Sequence, residues 1–330
     1  MSQILGDSII LPSGGGYPNG TKWTKSNITT GGFYATYNSG GTWVACGSNG
    51  LYYSVNGKVW TQSNISTGRF NSVYNAAALW VAGGVNGIYY STDGMEWSNS
   101  NITSGEFYKI IYSDGVWAAG GSNGIYYSVN GTTWTTSNVT NITFENICYA
   151  DGIWVAGSKD STKGLYYSLD GKSWTATSVN NKTISFVEYG NGMWLAGTLN
   201  SDGTDSLYYS SNGRIWTARA GATTPMLAAI YANGLWLLGE ATKVYYFTDI
   251  TKLLPTDLPR NEMFGKFFYS NGIYLTVDAL DTSVWYSTNG VNWEQIPYEN
   301  ITNLSGAYNA NGIWVAGAMS GLYYSVTWEG

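Results

Sequence analysis

A large aromatic residue returns at near-constant intervals along the whole chain. Trp43, Trp80, Trp117 and Trp154 are 37 residues apart, and Trp194, Trp236, Tyr274 and Trp314 continue the series at spacings of 40, 42, 38 and 40. Ten residues before each stands an apolar side chain: Phe33, Phe70, Phe107, Phe144, Ile184, Met226, Phe264 and Leu304. Self-similarity at this period marks an architecture of stacked units, each too small to bury its own apolar face.

Each unit reads as four short strands, here A to D. Strand A is an apolar run ending near Tyr112 or Tyr149. Strand B is Trp-Val-Ala-Gly or a near copy, strand C a Tyr-Tyr-Ser run, and strand D holds a second Trp and ends in Ser-Asn, as at Trp97 and Asn101. Aromatic residues make up 16 % of the chain, with 43 Gly and only 6 Pro, which suits many short strands joined by tight turns. Between C and D stand Asn56-Gly57, Asp93-Gly94, Asn130-Gly131, Asp170-Gly171, Asn212-Gly213 and Asn289-Gly290. Such dipeptides are expected to supply the positive φ angles of a tight hairpin.

A four-stranded antiparallel unit of about 40 residues, repeated radially, is a propeller blade. The expected fold is therefore all-β: an eight-bladed β-propeller over residues 19–330. The eighth unit ends its strand C at Tyr323-Tyr324-Ser325, while an unmatched strand D around Trp23 stands at the start of the chain. The N-terminal strand is expected to complete the last blade, removing edges that would otherwise template aggregation. Residues 1–18, with Pro12 and Gly14-Gly15-Gly16, read as a tail or attachment segment to a larger particle or assembly.

The C–D turns share the pattern Ser-x-Asp/Asn-Gly-x-x-Trp: Ser54 to Trp60, Ser91 to Trp97, Ser128 to Trp134, Ser168 to Trp174, Ser210 to Trp216 and Ser287 to Trp293. This resembles the Asp-box, Ser-x-Asp-x-Gly-x-x-Trp, of sialidases, BNR-repeat proteins and related propellers. It is shortened by one residue, and Asn replaces Asp in most copies. The resemblance implies a propeller in which the motif is a structural turn on the face away from any active site. It implies nothing about activity. Blade six departs from it: residues 247–253 lose Ser, Gly and Trp, and Pro255 and Pro259 follow, as suits an outer edge strand.

Composition removes several chemistries. There is no His, the commonest general base near neutral pH and the commonest metal ligand. Cys46 and Cys148 are too few for a thiolate zinc site and are expected three blades apart, unpaired. A sialidase-like site would need clustered Arg, but Arg69, Arg214, Arg219 and Arg260 share no repeat position. Glu145 and Glu188 on strands A leave two-carboxylate glycoside hydrolysis open as a distant alternative. No cofactor or metal is expected. With 15 basic against 21 acidic residues and no polybasic run, nucleic acid is not an expected partner. Nor is membrane insertion, because no stretch approaches 18 apolar residues.

A non-enzymatic recognition role is the expectation that remains, with a glycan or a protein receptor as partner. The D–A and B–C loops share one face. The first four D–A loops begin with Asn27, Asn64, Asn101 and Asn138, and the early B–C loops carry Asn49, Asn86 and Asn123. Amides repeated beside Tyr and Trp can hydrogen-bond sugar hydroxyls while a ring stacks, and equivalent weak sites would act by avidity. The bland alternative is that each Asn satisfies its own loop backbone. Longer B–C loops in later blades, around Lys159 and Asp160, Asp202, and Asp281, form a second candidate surface. The N-terminus has no basic segment before an apolar run, so no signal peptide is read. A phage-tail or other virion appendage fits these features, as does an extracellular surface. An intracellular, cytoplasmic assembly scaffold is the alternative from another class.

Overall fold

The computed structural model describes residues 20–200, 203–259, 263–278, 283–297, 301 and 304–326. The residue 1–18 segment, Asp202 and Asp281 lie outside them. Thirty-two strands form eight four-stranded antiparallel sheets. In the first blade, strand A is Phe33–Ser39, B is Thr42–Gly47, C is Gly50–Ser54 and D is Thr61–Gln62. In the eighth, A is Leu304–Ala310, B is Ile313–Ala318 and C is Gly321–Val326. Its strand D is the N-terminal Thr24–Lys25, with Thr24 opposite Tyr324 and Lys25 opposite Tyr323. Gly20 N–H donates to Ser325 Oγ at 2.9 Å and Ser26 N–H to Leu322 O at 2.9 Å, so the closure expected from the unmatched strand is present.

Strands A pack on one another in an unbroken ring, each against the strand A of the blade before and the blade after. This places strand A at the central channel and strand D at the rim. The core is not one mass but a series of seams between neighbouring blades. One seam joins Val81 and Ile88 of blade two to Phe107, Ile110, Trp117 and Trp134 of blade three. Both Trp residues of the repeat are buried in such seams, as Trp80 and Trp97 are. Burying a residue of that size favours folding by several kcal/mol before entropy is counted, at about 25 cal/mol per Å². Seam volume also explains Cys46, which stands where blade two has Gly83. A Cβ on Gly83 would come within 2.8 Å of Ile110 Cδ1, whereas the residue facing Cys46 is the smaller Val73.

The turns correct one expectation. The two-residue turns with both φ angles positive lie between A and B, as at Asp151 (51°) with Gly152 (75°) and Asn191 (51°) with Gly192 (76°). In the C–D turns only the Gly has positive φ, 69° at Gly57, and Asn56 does not. There the Asx side chain acts instead. In all six copies the Asx Oδ1 accepts two following backbone N–H groups at 2.8–3.0 Å. The Ser Oγ accepts the Gly N–H at 2.8–3.0 Å. A Cβ on Gly57 would also lie 3.0 Å from Val315 Cγ2 and 3.2 Å from Trp43 Nε1, so both tight space and φ favour glycine. In blade six the turn survives in reduced form: Thr251 N–H donates to Asp249 Oδ1 at 2.9 Å. Phe247, in the Ser position, stacks on Trp236 at 6.0 Å. Strand D of this blade, Leu254–Pro255, is the outer edge that its proline suggested.

Candidate functional site

The two sets of repeated Asn residues, similar in sequence, are in different chemical states. Asn27 reaches from the last blade to strand D of the first, where its Oδ1 accepts Trp60 N–H at 2.8 Å and its Nδ2 donates to Trp60 O at 2.8 Å. Asn64 makes the same pair with Trp97, Asn101 with Trp134 and Asn138 with Trp174, all at 2.7–2.9 Å. These four amides are staples between the outer strands of successive blades. Asp257 makes half of the same contact, accepting Trp293 N–H at 2.8 Å. Each staple occupies one donor and one acceptor of the carboxamide, which leaves little with which to read a ligand.

Asn49, Asn86 and Asn123 are exposed, and their side chains make no hydrogen bond within the described residues. Their loops are held from below. Gly50 N–H donates to Gly68 O at 2.8 Å, and Gly87 N–H donates to Gly105 O at 3.0 Å. Gly31 and Gly68, both at φ 89°, leave room beside the amides. A Cβ at either would lie 3.1 Å from Asn49 Nδ2 or Asn86 Nδ2. Three consecutive blades thus present one unpartnered carboxamide each, at equivalent positions on the D–A and B–C face.

The first long B–C loop is internally satisfied. Lys159 Nζ pairs with Glu145 Oε2 at 2.7 Å. The Asp160 carboxylate accepts Thr162 N–H at 2.9 Å and the Thr162 hydroxyl at 2.8 Å, and these bonds hold it below the usual carboxylate range. Arg69 and Glu106 form a further ion pair, beginning strands A of adjacent blades.

Within the channel, strands A of blades two to five line a cavity of about 330 Å³ that includes Tyr74, Lys109, Asn146, Cys148 and Glu188. Burial pushes the Glu188 carboxyl up to about 7, and the Lys109 ammonium, too far for an ion pair, offsets part of that. Burial likewise raises the Cys148 thiol to about 12, with Glu188 adding to it, and the Cys46 thiol to about 12. Both cysteines are free. Glu145, held by Lys159, does not share this cavity with Glu188. Beside this cavity, on the neighbouring strands A, Tyr37 packs its ring 5.0 Å from Tyr74 and 4.8 Å from Tyr308. Lys109 carried no distinguishing signal in the sequence, because its neighbours in the channel come from other repeats. Among the described residues no three His, Cys, Asp or Glu side chains come together as a metal site.

No family model and no curated sequence matches the chain. Solved structures match its shape throughout. The computationally designed Ika8 protein is 13 % identical with a TM-score of 0.74, covering 94 % of this chain and 100 % of its own. Sqt1 of Saccharomyces cerevisiae is 8 % identical with a TM-score of 0.69, covering 94 % and 99 %. BamB from Moraxella catarrhalis is 9 % identical with a TM-score of 0.66, covering 93 % and 98 %. At such identities the likeness is one of fold alone.

Proposed function

We propose that the protein is a non-enzymatic recognition propeller that engages glycans of a receptor-bearing surface, as part of a virion or cell-surface appendage, through its D–A and B–C face. One observation carries the reading: Asn49, Asn86 and Asn123 hold exposed carboxamides with no side-chain hydrogen-bond partner among the described residues, at the same position of three adjacent blades. A free carboxamide both donates and accepts, as vicinal sugar hydroxyls require. The backbone that presents it is pinned by the loop hydrogen bonds above, so little ordering entropy opposes binding. Three such positions on a rigid ring favour a ligand displayed in many copies, where individually weak contacts combine. The Asx residues of the opposite face are already engaged with turn amides.

The test is binding to arrayed glycans by wild-type protein and by the triple variant Asn49→Ala, Asn86→Ala, Asn123→Ala. Binding to the array is expected to fall at least tenfold, with thermal stability unchanged because these amides hold nothing within the fold. An undiminished signal from the triple variant would remove the proposed site. Binding to a protein partner in place of any glycan would favour an assembly scaffold.

A further inference from the structure

Three of the eight outer seams lack the staple, with Ser178, Ala220 and Pro297 in its position, and the first of these borders a groove. Five seams are bridged by a side chain four residues beyond a strand-D Trp position or its equivalent: Asn27, Asn64, Asn101, Asn138 and Asp257. Between blades four and five that position is Ser178, which is too short to cross, and its hydroxyl makes no hydrogen bond within the described residues. Arg219 N–H donates to Leu207 O at 2.8 Å, which turns the odd-numbered residues of this strand D toward strand C. Trp216 therefore directs its N–H and C=O outward, as Trp60 does toward Asn27. Neither group has a hydrogen-bond partner among the described residues.

A groove of about 500 Å³ opens at this point, lined by Tyr167, Ala176, Thr177, Ser178, Arg214 and Ile215. The Arg214 guanidinium has no ion pair or hydrogen bond among the described residues, and Ile215 is 74 % exposed. Strand D of blade four, Thr175–Asn180, is six residues long, where that of blade one has two, so it offers a longer edge to an incoming strand.

We infer that this groove is a docking site for an extended acidic segment of another protein, whose Asp side chain supplies the missing staple. The internal seams define the chemistry that fits. Asn satisfies both Trp groups, and Asp257 shows that a carboxylate satisfies the N–H. Arg214 lines the same groove as Ser178, and its cationic guanidinium favours a carboxylate over a carboxamide there. An aliphatic neighbour of that Asp covers Ile215, and the peptide backbone runs along the blade-four edge. This site lies on the rim and is independent of the glycan-binding proposal.

The probe is the blocked pentapeptide acetyl-Thr-Ile-Asp-Val-Thr-amide, with a second peptide carrying alanine in place of the aspartate. Titration is followed through the Trp216 backbone amide by NMR. A saturable shift is expected with the aspartate peptide. Affinity should be at least tenfold weaker for the alanine peptide, for Arg214→Ala, and for Ser178→Asn, which lets the chain fill its own seam. The absence of a Trp216 shift in wild-type protein, or a shift of equal affinity in Ser178→Asn, would overturn the proposal. So would a Ser178→Asn variant that converts a self-associated protein to monomer, since the occupant would then be a second copy of this chain.

Discussion

Asn64 and Asn86 lie 22 residues apart, on the D–A and B–C loops flanking blade two, and should respond oppositely to the same truncation. Asn64→Ala removes an acceptor at 2.9 Å and a donor at 2.9 Å from Trp97. A net contribution of about 0.5–1.5 kcal/mol per hydrogen bond gives a loss of about 1–3 kcal/mol. Partial solvent access to the freed groups sets the expectation near 2 kcal/mol. For 330 residues, an unfolding entropy of about 2.1 cal/mol/K per residue sums to about 0.7 kcal/mol/K, so Tm should fall by about 3 °C. Asn64→Asp, which keeps only the contact that Asp257 makes at its own seam, should fall between the two. Asn86→Ala breaks no side-chain hydrogen bond among the described residues and should leave Tm within about 0.5 °C while weakening ligand binding. Urea unfolding and differential scanning calorimetry measure the first effect, and array binding measures the second. A stability loss at Asn86 equal to that at Asn64, or a binding loss at Asn64 with unchanged stability, would refute the division of labour between the two sets.

Ala77 and Ala78 hold φ of 50° and 59° in an A–B turn where other blades use Asx-Gly or Gly-Gly. Left-handed backbone costs about 1 kcal/mol or more per alanine, and added unfolded-chain freedom offsets part of the relief at glycine. The double variant Ala77→Asn, Ala78→Gly should gain about 1 kcal/mol in urea unfolding, while Gly115→Ala, at φ 75° with nothing within 4 Å of its notional Cβ, should lose a similar amount. Glu188 binds its proton more tightly in the folded protein, with its carboxyl near 7, than in the unfolded chain, where the value is about 4.3. Its contribution is therefore fully present below about pH 4, and stability should decline by about 1–3 kcal/mol as pH rises through 7. Glu188→Gln should flatten that decline, and an unchanged pH profile would show that the carboxyl is already well solvated. Thiol titration of unfolded, non-reduced protein should count two free thiols, Cys46 and Cys148, and native protein should react slowly because burial keeps both protonated near neutral pH.

Local pattern carried the architecture. The aromatic period, the apolar residue ten positions before it and the unmatched Trp23 strand determined the blade number, the strand order and the ring closure. Each of these is a contact within one repeat or between identical repeats, so periodicity alone exposes it. The C–D turn was readable as a turn, yet its mechanism was not, since Asn-Gly suits either a positive-φ pair or an Asx cap, and only φ at Asn56 separates them. The candidate site depended on contacts that the one-dimensional repeat does not contain. Asn64 and Asn86 are both Asn in polar loops. One faces Trp97, 33 residues away in the next blade, and the other faces solvent. Glu188 and Lys109, 79 residues apart, meet only because strands A close into a ring around one channel. Ser178 acquires meaning only beside Trp216, where the curvature of the ring sets a gap that asparagine spans and serine does not. Residue identity sets which side chains can bond, and the closed ring sets which of them already do, because hydrogen-bond satisfaction depends on what the fold brings within about 3 Å.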